Sequence, residues 1–153
     1  MGFSPISDQI LTKDQLDESE ATYPITINSC TDCGFCQLGF VVPPELMYNE
    51  NYSYDGSSTM GLRQHHISIA NQICDDFKLE HDSLVIDMGS NAGVLLSGFR
   101  ERGCKVLGID PSVNVANIAR NKGIEVIGEF FSSELAKRIK KEHGQVSVIT
   151  GTN

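Results

Sequence analysis

Val85-Ile86-Asp87-Met88-Gly89-Ser90-Asn91-Ala92-Gly93-Val94-Leu95-Leu96 decides the fold, together with Val106-Leu107-Gly108-Ile109-Asp110 a short way downstream. A buried-type strand runs into a glycine-rich turn and a helix, and a second strand ends in an acid. An α/β sheet holds a nucleoside in this way. The glycines let the backbone approach the ligand, and the acid accepts hydrogen bonds from the ribose hydroxyls.

From Leu84 onward the pattern alternates between strand and helix. It predicts strands near 84–88, 105–109, 124–127 and 146–150, and helices near 93–102, 112–121 and 132–142, with Gly103, Gly123 and Gly144 ending the helices. Successive units of this kind build a parallel sheet with right-handed crossovers. The fold class is therefore α/β: a Rossmann-like parallel sheet preceded by a small cysteine-containing module. Little follows Val146-Ser147-Val148-Ile149-Thr150, and a doubly wound domain needs more strands, so the expectation is a fragment with an incomplete sheet.

Upstream, Tyr23 to Asn28 reads as a short strand and Gln37 to Val42 as a second. Cys30-Thr31-Asp32-Cys33-Gly34-Phe35-Cys36 then lies on the connection between them. Residues 1–22 read as a loose or partly helical lead-in, and Glu45 to Asp55 as a tyrosine-rich loop with one helical turn. Ser57 or Ser58 caps a helix running to about Phe77, with Leu62, His66, Ile69, Ile73 and Phe77 on its core face.

The chain has 153 residues, 40% of them hydrophobic, and a formal charge of −8. That charge argues against a nucleic-acid backbone as partner. The Lys137-Arg138 and Lys140-Lys141 pairs read as a solvated face near a helix C-terminus. No apolar run is long enough to span a membrane, and Met1-Gly2-Phe3-Ser4-Pro5 lacks the basic start and apolar core of a signal peptide. Five cysteines in such a chain suggest reduced thiols or a metal site, hence a cytoplasmic location.

Asp87-x-Gly89-x-Asn91-x-Gly93 differs from the dinucleotide fingerprint: its glycines are differently spaced, and Val94 stands where the third would fall. Asp87 would repel a pyrophosphate at the helix N-terminus but suits a ligand carrying an ammonium. S-adenosylmethionine is such a ligand. Its ribose would be held by Asp110, and Phe130 and Phe131 are candidates to face the adenine, core packing being the alternative role for either ring. Cys30-x-x-Cys33-Gly34 is half of a zinc knuckle, because structural zinc takes four ligands, usually as two such pairs. Cys36 could extend it to three. Zinc held by these three with a further ligand, and a half-site lacking its partner pair, both remain open; the half-site is favoured. Cys74 and Cys104 read as small core residues.

With these motifs placed, the chain resembles the bacterial sugar C-methyltransferases, which methylate a ring carbon of a nucleotide-linked deoxy keto sugar. The resemblance runs through Tyr23-Pro24-Ile25-Thr26, Cys30-x-x-Cys33-Gly34, Gln37-Leu38, Pro44-Glu45-Leu46, Tyr52-x-Tyr54, Ser57-Ser58 and Leu62-Arg63-Gln64-His65. It continues through Gly89-Ser90-Asn91-x-Gly93, Gly108-Ile109-Asp110-Pro111-Ser112, Asn114-Val115-Ala116, Phe130-Phe131 and Val148-Ile149-Thr150. It implies a zinc-binding module, a tyrosine-rich connector and a class I methyltransferase domain, with boundaries expected at 1–56, 57–78 (a linking helix) and 79–153. It also implies S-adenosylmethionine as cofactor, bound by Asp87, Gly89, Ser90, Asn91, Gly93, Asp110, Phe130 and Phe131, and a nucleotide-sugar substrate. Tyr52, Tyr54 and His65 are substrate-side candidates. Their alternative roles are amphipathic surface for the tyrosines and an ordinary helix–sheet contact for the histidine. Two departures stand out. The family's first cysteine pair would lie upstream of residue 1, so Cys30 and Cys33 are the metal-ligand candidates here. Ala92 replaces the family's aspartate in the turn. The catalytic histidine and acid are expected beyond Asn153, so the chain alone is expected to be inactive. Two competing readings are a nicotinamide-dependent Rossmann oxidoreductase and a non-catalytic binding module.

Overall fold

The computed structural model describes residues 2–152. It divides into two compact units between Ser53 and Tyr54.

The first unit is built from very short pieces. β1 (Phe3–Ser4) pairs antiparallel with β2 (Tyr23–Pro24), and β3 (Ile27–Ser29) pairs antiparallel with β4 (Cys36–Leu38). A 3-10 turn at Lys13–Gln15 and the single helical turn α1 (Pro44–Met47) complete it. Cys30 and Cys33 do lie on the connection between two strands, while Cys36 opens β4 and pairs with Ser29 across the hairpin. The strand expected over Tyr23 to Asn28 is instead split, its first part pairing with β1 and its second with β4. The strand expected over Gln37 to Val42 stops at Leu38. Beyond it, Gly39 N–H still reaches Thr26 O (2.8 Å), but the partner chain then turns away to pair with β1. Phe40 stacks on Tyr23, with ring centroids 6.0 Å apart.

The second unit opens with α2 (Met60–Asp76), followed by β5 (Leu84–Met88), α3 (Val94–Glu101), β6 (Lys105–Ile109), α4 (Val113–Asn121), β7 (Glu125–Ile127), α5 (Ser133–His143) and β8 (Val148–Gly151). The four strands are parallel and ordered β7-β6-β5-β8. In strand sequence this is 3-2-1-4, the order of the Rossmann-type doubly wound sheet, with its switch point between β5 and β8. Gly103, Gly123 and Gly144 follow their helices with φ of 86°, 77° and 87°, as the sequence pattern predicts.

Alternation along the strands supplies two cores. Val85 faces one side, with Leu95, Leu96 and Phe99 of α3 and Ala116 and Ala119 of α4. Leu84 and Ile86 face the other, with Leu107, Ile109 and Leu135 and Ile139 of α5. Phe99 and Leu96 are fully buried, and burial of side chains this size contributes about 2–3 kcal/mol each.

Helix α2 corrects the expectation in two places. Its N-cap is Thr59. Ser57 is engaged elsewhere, since its backbone N–H and its hydroxyl both donate to Asp55 Oδ1 at 2.7 Å. The fully buried positions are Ala70 and Cys74, while Phe77 is 68% exposed. Small residues mark the buried line because α2 lies close against α3. A Cβ on Gly98 would come within 2.7 Å of Ala70 Cβ and 3.2 Å of Ile67 Cα.

Among the described residues no helix is long and apolar enough to cross a membrane.

Candidate functional site

The ends of β5, β6 and β8 bring the predicted residues together. Asp87, the fourth residue of β5, is buried, and its Oδ1 accepts the Thr150 hydroxyl of β8 at 2.7 Å. Asp87 and Thr150 are register partners across the switch point. Burial raises the Asp87 carboxyl to about 6; the Thr150 hydrogen bond opposes this, and the nearby Asp110 charge adds to it.

The turn after β5 is shaped by three left-handed residues, Gly89 (φ 70°), Asn91 (φ 48°) and Gly93 (φ 71°). Gly93 is required twice over. Besides its φ, a Cβ there would stand 2.7 Å from Ile124 Cδ1 and 3.0 Å from Ala119 Cβ. Gly89 is different, because a Cβ there would meet nothing within 4 Å. Its exposed backbone borders the open side of the turn, where a ligand can approach.

Asp110 is 6% exposed and holds the turn in place. Its Oδ2 accepts the Asn91 backbone N–H and its Oδ1 accepts the Ser112 backbone N–H, each at 2.8 Å. These two bonds fix the orientation of the carboxylate. Phe130 and Phe131 follow β7 and are 40% and 43% exposed.

Two turn residues have side chains turned away from that ligand-facing surface. The Ser90 hydroxyl is buried without a hydrogen-bond partner, in contact with the space where Gly108 lacks a side chain. Its backbone N–H donates to Ile109 O at 3.2 Å. The Asn91 carboxamide is fully engaged within the protein: Oδ1 accepts the N–H groups of Gly56 (2.9 Å) and Ala92 (2.8 Å), and Nδ2 donates to Tyr54 O (2.8 Å). The tie to residues 54–56 spans 35 or more positions of sequence and has no local signature.

The substrate-side candidates separate. Tyr54 belongs to the second unit; it is 48% exposed and its carbonyl is held by Asn91. Tyr52 belongs to the first unit and packs edge-on against Tyr48, with centroids 5.3 Å apart. His65 is exposed on α2, its ring 6.1 Å from that of His66.

In the cysteine hairpin, Cys30 N–H donates to Phe35 O (2.8 Å) and Gly34 N–H to Cys30 O (2.9 Å). This curl directs the backbone N–H groups of Cys33 and Asp32 at the Cys30 sulfur; these, and then the Cys33 thiol, lower its pKa. Stabilising one thiolate beside a second thiol is what a zinc knuckle requires. The fit is half of a tetrahedral set, for among the described residues no three or more His, Cys, Asp or Glu side chains gather around a common point. Cys74 and Cys104 are buried in the other unit, as the sequence suggests.

Fold and site together define an α/β domain of Rossmann type, preceded in the sequence by a cysteine hairpin. Known proteins share parts of this sequence. Residues 1–48 match the sequence family Methyltransf_13, described as "Putative zinc binding domain". The "C-methyltransferase NovU" of Streptomyces niveus is 28% identical over 150 residues, covering 98% of this chain and 36% of that protein. An "Uncharacterized methyltransferase" of Alkaliphilus oremlandii is 29% identical over 92 residues, covering 58% of this chain and 42% of that protein. The chain thus spans about two fifths of the length of the curated relatives it matches. Among solved structures, the magnesium protoporphyrin IX methyltransferase of Synechocystis with bound SAM aligns with a TM-score of 0.40 and 20% identity, covering 50% of this chain and 44% of that one.

Proposed function

We propose that this chain is the cofactor-binding portion of an S-adenosylmethionine-dependent C-methyltransferase. One observation carries the reading. Two buried carboxylates flank a glycine turn at the ends of adjacent strands, Asp87 on β5 beside the switch point and Asp110 just after β6. Open parallel α/β sheets bind ligands in the crevice at such a switch point. Two acids there suit a ligand with a cationic end and a ribose, and disfavour a pyrophosphate.

The residues fit S-adenosylmethionine, which supplies an electrophilic methyl group on a sulfonium. Asp87, oriented by Thr150, would take the ligand's ammonium. Asp110 would accept the ribose hydroxyls, and Phe130 or Phe131 would cover the adenine. The open backbone at Gly89 lets the ligand lie against the turn. These contacts bind and orient the cofactor. Removing the acceptor's proton and stabilising the resulting enolate oxygen are tasks for which no described residue is assigned.

The acceptor proposed is a ring carbon next to the ketone of a nucleotide-linked deoxy sugar. The matched stretches named above support it, as does the C-methyltransferase name of the Streptomyces relative. Tyr54 is the candidate best placed to line that substrate. Zinc at Cys30 and Cys33 and a cytoplasmic location belong to the same proposal.

Thermal unfolding with S-adenosylhomocysteine, with NAD as control, tests the reading. A ligand that binds only the folded form raises the midpoint. A rise with S-adenosylhomocysteine alone, abolished in Asp110→Ala, is the expected result. A rise with NAD alone would overturn it in favour of a nicotinamide-binding protein.

A further inference from the structure

Asn91 joins two parts of the second unit that are distant in sequence. Its backbone N–H is held by the Asp110 carboxylate, and its carboxamide grips residues 54–56 with one donated and one accepted hydrogen bond. The gripped segment leads into α2 and has its own internal lock, the Asp55–Ser57 pair. Gly56 is buried, and its Cα side lies 3.5 Å from Asn91 Oδ1 by the position a Cβ would take. Tyr54, at the head of the segment, is nearly half exposed. The glycine turn thus carries a strap ending in an aromatic side chain, and one carboxamide connects it to the acid assigned to the ribose.

We propose that Asn91 is a positioning residue that fixes the Tyr54–Ser57 strap as one wall of the S-adenosylmethionine site, so that ligand binding at Asp110 and order in the strap reinforce each other. The inference rests on the cofactor reading above. Its physical basis is reciprocal linkage. Whatever restrains the turn through Asp110 also restrains the Asn91 backbone, and with it the carboxamide that holds Gly56 N–H and Tyr54 O; restraint of the strap must favour the ligand to the same degree. The left-handed φ of Asn91 belongs to this design. Asparagine tolerates that conformation and, unlike glycine, brings a donor and an acceptor to it.

That conformation also supplies a clean perturbation. Asn91→Gly keeps the backbone geometry without strain and deletes only the carboxamide. Asn91→Asp keeps the acceptor for Gly56 N–H and turns a carboxylate oxygen toward Tyr54 O, breaking one tie of the two. Amide hydrogen exchange of peptides covering residues 54–57 would be measured in the full chain, with and without S-adenosylhomocysteine, alongside calorimetric titration of the same ligand. In the wild type, S-adenosylhomocysteine is expected to slow exchange in this segment. Asn91→Gly should exchange faster there without ligand, lose the ligand-induced protection, and bind about tenfold more weakly, the loss expected for two hydrogen bonds of ordinary net strength. Asn91→Asp should fall between them, and it decides the matter if the glycine variant does not fold. Wild-type binding with no protection of residues 54–57, or variants that bind as the wild type does, would overturn the strap and leave the cofactor reading standing. Folded wild type that binds no S-adenosylhomocysteine would overturn both.

Discussion

Replacing Asp87 by asparagine should move stability and ligand affinity in opposite directions. The carboxyl is 2% exposed, and burial raises it from 3.8 to about 6. That difference amounts to about 3 kcal/mol of penalty on the ionised form. The sign follows from proton binding. The folded chain holds the Asp87 proton more tightly than the unfolded chain, so stability falls as pH rises from about 4 to about 6. Above that range the whole penalty is present. Asp87→Asn removes the charge and retains a carbonyl oxygen for the Thr150 hydroxyl. After about 1 kcal/mol is subtracted for imperfect hydrogen bonding of the amide, it should stabilise the ligand-free protein at pH 7 by about 2 kcal/mol. Urea unfolding reads this directly. The same change removes the partner of the ligand's ammonium, so S-adenosylhomocysteine should bind at least about tenfold more weakly at pH 7. In the wild type, affinity should rise with pH until Asp87 is ionised, by about tenfold between pH 5 and pH 7, and then level off. Thr150→Val, which removes the opposing hydrogen bond, should shift that profile to higher pH. Calorimetric titration across this range is the assay. An Asp87→Asn variant that keeps both the affinity and the pH profile of the wild type would refute the assignment of Asp87 to the ammonium.

Two glycines of the same turn should respond unequally to alanine. Gly89→Ala meets only the backbone penalty of its positive φ, about 1–2 kcal/mol. Gly93→Ala adds overlap with Ile124 and Ala119 and should cost about 3 kcal/mol or more; equal losses in urea unfolding would contradict the packing described. Alkylation by iodoacetamide, followed by mass spectrometry, should modify Cys30 ahead of the buried pair, since backbone N–H groups stabilise its thiolate. Cys104 should react last or only on unfolding, because burial and the neighbouring Cys74 push its thiol up to about 11.

The β-α portion was legible in the sequence to within a residue or two because each element there is long enough to show its period. Apolar strands, helices with one apolar face and closing glycines all agree in that stretch. The first unit was harder to read for the opposite reason. Strands of two or three residues show no alternation, and the pairing of Phe3–Ser4 with Tyr23–Pro24 depends on a return of the chain that no local pattern announces. Helix α2 misled in another way. Ile69 and Ile73 of the expected face do pack against the core, but Phe77 is exposed and close approach to α3 buries Ala70 and Cys74 most fully. At the site, the types and order of Asp87, Gly89, Gly93 and Asp110 carried the proposed ligand class. The engagement of Asn91 with Tyr54 and Gly56 was hidden, because it joins positions 35 and 37 apart through a side chain whose other roles in turns are equally common.

The close seat of α2 on α3 has a consequence for biosynthesis. Ala70 and Cys74 can be covered only when Gly98 and its helix exist, and those are made after them. As the ribosome delivers the chain, α2 emerges with half an interface and waits through β5 for its counterpart. A chain ending between residues 78 and 93 should therefore leave α2 unformed or transient, because most of a helix's stability in a protein comes from packing its apolar face. Once α3 emerges, α2, α3 and β5 can close together as the unit's first stable nucleus.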